Sequence, residues 1–438
     1  MLVNFSIQNF GSIKDKQTLS FEADKSKHLE EYYVINTNGL RLLKLGLIFG
    51  ANASGKTTIL KALDFLRTLV LNPKSQKTET FDFDPFLFDE NTPNENTVFE
   101  IEFIQNDVRY LYEVELNKDA IIREKLDSYN SRKSNVFERT TDFQSKFTKI
   151  EFGNKVKIPK SAADALENNT LWNNTVLGGY LKTNMDLKEF VDILNWFSGY
   201  LNTMVDPQSN LSKDSIKMLK EGKYKEALLQ ILKQADFNIS NILIKREIVE
   251  ISSINDFLNN PDRFYKKHQD KEFHMISNKQ VFTEDVEFEH TINGNSYTLA
   301  FGMESQGTQR YYGFAGILYK LISASTLFSI DELESSLHPD LFQHFLLSFL
   351  VNSQKSQLIA TTHNREILND KDIFRNDVIW ITDKDNVDSA TELYSLADFS
   401  TNVIRDTTNI SNAYKLGRLG GVPFLGSYYI DFDLDEEN

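Results

Sequence analysis

The sequence predicts an α/β protein. Its strand-and-helix fold is written in two stretches, residues 1–155 and 276–430, around a mainly helical insertion at 156–275. Three observations predict this. Gly50-Ala51-Asn52-Ala53-Ser54-Gly55-Lys56-Thr57 lies between a strand pattern and a helical pattern. Far downstream, Thr326-Leu327-Phe328-Ser329-Ile330-Asp331-Glu332 reads as an apolar strand ending in two acids. Gln357-Leu358-Ile359-Ala360-Thr361-Thr362-His363 reads as a further buried strand that delivers a histidine at its end. Strand, glycine-rich loop and helix followed by more apolar strands is the order of a parallel α/β sheet.

The elements follow in order. Val3–Phe10 and Leu19–Ala23 read as early antiparallel strands, with Phe5, Ile7 and Phe10 alternating with polar residues. Leu42, Leu43, Leu45, Leu47, Ile48 and Phe49 read as one buried strand feeding the loop. After it, Ile59, Leu60, Leu63, Leu66 and Val70 fall at helical spacing. Val98–Ile104 and Val108–Leu116 alternate around Asn106-Asp107, a hairpin turn. In the insertion, Leu187, Phe190, Val191, Leu194 and Phe197 recur at helical intervals, as do Leu228, Leu229, Ile231 and Leu232. Strand patterns return at Ile242–Ile251 and in a hairpin over Val286–Phe301 around Asn293-Gly294. Helix and strand then alternate to residue 430, and an acidic tail closes the sequence at 431–438. The insertion reads as a docking surface, so that removal of residues 160–235 spares the glycine-rich loop.

The glycine-rich stretch satisfies G-x-x-x-x-G-K-[ST]. Small residues at Gly50, Asn52, Ala53, Ser54 and Gly55 let the backbone wrap a phosphate chain with its N–H groups inward. Lys56 supplies a cation for the β- and γ-phosphates; Thr57 carries a hydroxyl able to ligate Mg²⁺, and Thr58 continues the cradle. Asp331 and Glu332 fit a Walker B pair, with Asp331 on the metal and Glu332 polarising the attacking water. An apolar strand ending in acids is also common without chemistry. His363 fits a γ-phosphate sensor, or a structural histidine. Ser305 and Gly307, opening the apolar stretch Tyr311–Ile322, fit an anion site at a helix N-terminus, or a plain N-cap. Glu334–His338 reads as a contact loop or as a turn before a helix at Pro339.

Composition limits the rest. A net charge of −15 argues against indiscriminate nucleic-acid binding and leaves only a local basic groove open. The absence of cysteine excludes disulfides, Fe–S clusters and thiolate zinc sites, and suits a reducing cytoplasm. No apolar run is long enough to span a membrane, and the first residues read as a strand and not as a signal peptide. The histidines form no metal motif: His338 and His344, six apart, share no helix face. Lys213, Lys217, Lys220, Lys223 and Lys225 form a basic stretch, read as a solvated face or a partner contact; Arg405, Lys415 and Arg418 are read the same way. Asp431-Phe432-Asp433 reads as part of the acidic tail.

The order Walker A, Ser-x-Gly, Walker B, contact loop and histidine resembles the ABC-type ATPase head, and SMC-like heads split by an insertion. The segments "NFGSIKD", "ESQGT", "IDELESSLHP", "TTHN" and "AYKLGRLGGVPF" resemble the AbiEii/Abi-type bacterial AAA ATPases of abortive infection and phage defence. These are akin to the ATPase part of overcoming-lysogenization-defect proteins. The resemblance covers residues 1–115 and 280–425. It implies an ABC/SMC-like P-loop head in two lobes that binds and hydrolyses ATP with Mg²⁺. It implies a homodimer or higher oligomer sandwiching two ATP molecules, with Ser305 and Gly307 supplied by the other protomer. It also implies a separate effector, a nuclease or toxin, in the cytoplasm. The C-terminal nuclease of the overcoming-lysogenization-defect proteins has no room after His363, and Gln105 at a hairpin tip is the only candidate for the Q-loop glutamine. A DNA-repair or DNA-loading ATPase and a non-hydrolysing ATP-bound scaffold are the rival readings.

Overall fold

The structure, a computed structural model, describes residues 1–130, 132–211, 216, 218–220, 222–250, 273–277, 280–370, 372–385, 387–399 and 409–422. Lys213, Lys217, Arg405, Asp431–Asp433 with the acidic tail, and residues 251–272 of the insertion lie outside the described residues. The chain opens with strands β1 (Leu2–Gln8) and β2 (Gln17–Ser20), helix α1 (Glu30–Tyr33) and the hairpin β3 (Val34–Thr37) and β4 (Leu40–Leu43). Strand β5 (Leu45–Gly50) and helix α2 (Lys56–Leu71) carry the glycine-rich loop between them. Strands β6 (Thr97–Gln105), β7 (Val108–Leu116), β8 (Ile121–Asn130), β9 (Arg132–Asp142) and β10 (Phe147–Phe152) follow.

Helices α3 (Lys160–Asn169), α4 (Val176–Tyr180), α5 (Lys188–Asn195) and α6 (Gly222–Gln234) come next. After them run strands β11 (Asn241–Glu250), β12 (Phe273–Ser277), β13 (Gln280–Ile292) and β14 (Asn295–Ala300). The final stretch holds α7 (Gln306–Ser323), β15 (Leu327–Ile330), α8 (Pro339–Asn352), β16 (Gln357–Thr361), β17 (Ile379–Lys384), β18 (Thr391–Ser395) and α9 (Ile410–Lys415).

Two sheets build the body. An antiparallel sheet has the order β10-β9-β8-β7-β6-β1-β2. The second has the order β15-β16-β5-β17-β18, parallel through its first four strands. Strands from both sequence-distant stretches meet there: β5 lies between β16 and β17, and Thr361 pairs with Ile48. Its central strands are buried end to end, the near-continuous apolar signature of a sheet covered on both faces. The ends of β15, β5 and β16 therefore lie along one edge, where open parallel sheets bind ligands.

The expected single strand over 42–49 is two strands in different sheets. Lys44 makes the break. It is buried, and its Nζ donates to the carbonyls of Leu350 (3.1 Å) and Ser353 (2.6 Å), at the end of α8. A buried ammonium must be hydrogen-bonded, so the chain turns there and only β5 enters the parallel sheet. Both hairpin turns read from sequence form: Asn106 and Asp107 have φ of 49° and 58°, and Asn293 and Gly294 of 53° and 81°, as a two-residue type I′ turn requires.

Residues 160–205 belong to the same core as both sheets. Leu166, Phe190, Trp196 and Phe197 are fully buried in it. The Trp196 ring stacks on Phe103 of β6 at 4.2 Å between centroids. Leu201 and Val205 form parallel bridges to Leu327 and Ile330, adding an edge segment beside β15. The expectation that 160–235 is a removable surface is therefore corrected: part of it completes the parallel sheet. A second core holds Leu228 and Leu232 of α6, Ile242 of β11, Val286 and Phe288 of β13, and Tyr311, Tyr312 and Ala315 of α7. Lys220 is paired with Glu284 at 2.8 Å.

Candidate functional site

The glycine-rich loop joins β5 to the N-terminus of α2, which has no side-chain cap, so its first N–H groups are free for a ligand. Gly55 sits at φ 102°, a left-handed conformation open to glycine. A Cβ there would lie 2.1 Å from Thr391 Oγ1. At Gly50 a Cβ would lie 2.2 Å from Thr382 Oγ1. Hydroxyls hold the loop from outside. Thr391 Oγ1 donates to the Ser54 carbonyl (3.0 Å), and Ser54 Oγ and Thr382 Oγ1 are 2.6 Å apart. Ser12 Oγ lies 3.1 Å from Thr58 Oγ1, so the β1–β2 loop also buttresses the start of α2.

Lys56 is buried, and its Nζ donates to the carbonyls of Gly50 (3.1 Å) and Ala51 (2.9 Å). Burial lowers its pKa against the raising fields of Asp331, Glu332 and Glu334. Three carboxylates thus face this one amine. Asn52 and Ala53 are exposed at the mouth of the loop.

The two distant motifs join at Asp331, which is buried. Thr57 Oγ1 donates to its Oδ2 at 2.9 Å and Thr361 Oγ1 to its Oδ1 at 2.5 Å. The same Thr361 hydroxyl accepts from the Glu332 N–H at 2.8 Å. Glu332 stands in a left-handed turn at φ 46°, with its side chain exposed. A non-glycine residue in that region is strained, a feature that clusters at functional sites. His363 lies two residues past the end of β16, and its N–H donates to Glu334 Oε1. Burial first, and the Lys56 charge second, lower the His363 pKa, so the imidazole is neutral at neutral pH.

Ser305 and Gly307 sit apart from this cluster. Ser305 is the N-cap of α7: its Oγ accepts from the Thr308 N–H at 3.1 Å, and its side chain is exposed. A Cβ on Gly307 would lie 3.2 Å from the Ser336 carbonyl, in the contact loop. Among the described residues no hydrogen bond links Ser305 or Gly307 to the glycine-rich loop, to Asp331 or to Glu332. Two clefts reflect the separation. One of about 800 Å³ opens on Ala51, Asn52 and Ser54. Another of about 730 Å³ is lined by Gln208, Gln306, Gln309, Arg310 and Ser336.

Sequence reasoning missed some of the neighbourhood. Gln105 closes the β6–β7 turn, and among the described residues no hydrogen bond ties it to the site. Gln208 follows the edge segment whose Val205 N–H donates to Ser329 and whose Val205 carbonyl accepts from the Asp331 N–H at 2.8 Å. It therefore lies three residues past the bridge to Asp331, in the cleft it shares with Gln306, Gln309 and Ser336. Its signal, a glutamine after a short extended run, is invisible without the pairing. Ser12, Thr382 and Thr391 were missed because the fold brings them together from residues hundreds of positions apart.

The donor set suits a magnesium nucleotide. The Thr57 hydroxyl and the Asp331 carboxylate present adjacent hard oxygen ligands, and the packing of Thr382 and Thr391 against the loop leaves no room for a side chain at Gly50 or Gly55.

A family model described as "AAA domain, putative AbiEii toxin, Type IV TA system" matches residues 47–369, more than half of the chain. No curated protein matches it. Among solved structures the chain is similar to a crystal structure of the SmcHead bound to the C-winged helix domain of ScpA. The two share 13% identity over 90% of this chain and 97% of the other, at a TM-score of 0.45. It is similar to the SMC head domain from Thermotoga maritima at 14% identity over 90% and 98%, with a TM-score of 0.40. It is also similar to the Smc head domain with an extended coiled coil, bound to the C-terminal domain of ScpA, derived from Pyrococcus furiosus. There the identity is 13% over 95% and 98%, and the TM-score is 0.39.

Proposed function

The chain belongs to this AbiEii-type AAA domain family, and from that premise we propose that it is an ATP-hydrolysing switch with an ABC/SMC-like head. It closes as a dimer around ATP and controls a separate effector. The observation that carries the reading is the hydrogen-bonded chain Thr57–Asp331–Thr361–Glu332, which joins groups 274 residues apart into one acid-and-hydroxyl centre at the mouth of the glycine-rich loop.

The geometry supports the following roles. The loop N–H groups and Lys56 bind the β- and γ-phosphates, and on binding Lys56 exchanges its carbonyl partners for phosphate oxygens. Thr57 and Asp331 would hold Mg²⁺, which supplies a Lewis-acid charge on those phosphates. Glu332, exposed at its strained turn, accepts the proton of the attacking water. His363, neutral in this setting, donates to the γ-phosphate and reports its presence through Glu334.

Ser305 is exposed at the start of α7, and among the described residues no hydrogen bond joins it or Gly307 to the glycine-rich loop, which supports a signature supplied across a dimer. The family's description names a toxin and a toxin–antitoxin system, and with the sequence resemblance this supports a defence role in the cytoplasm with a toxin or nuclease as effector. The shared site is tested by mixing. Lys56→Ala and Ser305→Arg proteins should each be inactive alone, and together should restore one composite site per heterodimer. A mixture no more active than the sum of its parts removes the shared-site model.

A further inference from the structure

The signature loop is not held by α7 alone. His290 on β13 points both ring nitrogens at acceptors: Nδ1 lies 2.7 Å from the Asn238 carbonyl, and Nε2 lies 2.7 Å from Glu304 Oε1. Glu304 is the residue before Ser305, and both side chains are largely shielded, at 16% and 9% exposure. The Glu304 carbonyl in turn accepts from Gln309 Nε2 at 2.8 Å, which closes a ring around the Ser305 cap. A neutral imidazole has one N–H, yet two acceptors face this ring. The tautomer that carries its N–H on Nε2 donates to the Glu304 carboxylate, and that bond ties the residue before Ser305 to β13.

From this geometry we infer that His290 is a positioning residue for the signature: through Glu304 it sets where Ser305 and Gly307 stand before they meet the nucleotide of the partner. The inference rests on the dimer reading above. It makes a prediction that a merely structural histidine does not. His290 lies on no element that builds the glycine-rich loop, so its loss should damage the site to which its chain lends a signature and spare the site in its own chain.

The test is a complementation matrix on full-length protein. His290→Ala should bind ATP as a monomer with unchanged affinity and lose at least about tenfold in turnover, the worth of a hydrogen bond to a charged group. Mixed with Lys56→Ala it should regain activity, because the Lys56→Ala chain supplies an intact signature to the intact loop. Mixed with Ser305→Arg it should not. Glu304→Gln, whose amide can donate to a neutral Nε2, should stay within about threefold of wild type. If His290→Ala lowers monomer ATP binding, Glu304→Ala severs the same bond from the loop side and enters the same matrix.

Rescue of His290→Ala by Ser305→Arg, or wild-type turnover in both His290→Ala and Glu304→Ala, overturns the inference while leaving the shared site standing. Failure of the Lys56→Ala and Ser305→Arg control pair overturns both.

Discussion

At the scale of residues, Lys56 and Glu332 separate binding from chemistry. Lys56 is the buried cation at the loop, its Nζ on the Gly50 and Ala51 carbonyls. Lys56→Ala should abolish ATP binding in equilibrium titration. Glu332 is exposed and lies beyond the buried Asp331, so Glu332→Gln should leave binding intact. It should slow hydrolysis by at least about 10²-fold, the usual contribution of a general base, and trap the ATP-bound dimer in size-exclusion chromatography. Hydrolysis at the wild-type rate in Glu332→Gln would show that the proton goes elsewhere. These side chains were legible in sequence because a phosphate cradle constrains residue type at close spacing. His290 was not: a lone histidine in a strand carries no signal until Glu304 lies opposite.

At the scale of elements, β8 carries a buried acid that ties two layers together. Glu124 is 1% exposed, accepts from Tyr112 Oη at 2.7 Å and from the Val176 N–H at 2.7 Å, and so anchors the start of α4 on the antiparallel sheet. Burial pushes its pKa up to about 7, while the Arg139 charge pulls it down. The folded chain thus holds this proton more tightly than the unfolded chain, whose ordinary carboxyl titrates near 4.5. The stability from this residue is full below about pH 4.5 and is lost as pH rises through about 7. The loss amounts to about 3 kcal/mol at most. Denaturant unfolding at a series of pH values should show that Glu124→Gln flattens the slope across that window. An unchanged slope would place the titration on another group. The alternation of β6 and β7 was readable because one face is buried, whereas the break at Lys44 depends on two carbonyls of α8 that no local pattern announces.

At the scale of the whole molecule, residues 160–205 are a brace between the sheets. Arg67 of α2 donates to the Leu201 carbonyl at 2.8 Å, and the Met204 N–H donates to Asp64 of α2 at 2.9 Å. The helix that presents the glycine-rich loop is thereby fixed to the edge segment beside β15. Deleting 160–235 should expose the apolar surface around Phe103 and Phe137 and abolish cooperative thermal unfolding by circular dichroism, with ATP binding lost as well. A deletion protein that melts cooperatively and binds ATP would show that the brace is dispensable. Among the described residues no helix is long and apolar enough to cross a membrane.

The sequence by itself determined the α/β class, the P-loop, the two acids and the histidine, because each depends on neighbours in the chain: glycines at a turn, apolar alternation in a strand, a hydroxyl one residue after a lysine. The tertiary structure decided what those groups face. It set Asp331 between Thr57 and Thr361, paired Val205 with Asp331, and tied His290 to Glu304 beside Ser305. The physical reason is that parallel strands pair across long crossovers, so residues hundreds of positions apart become neighbours only when the sheet closes.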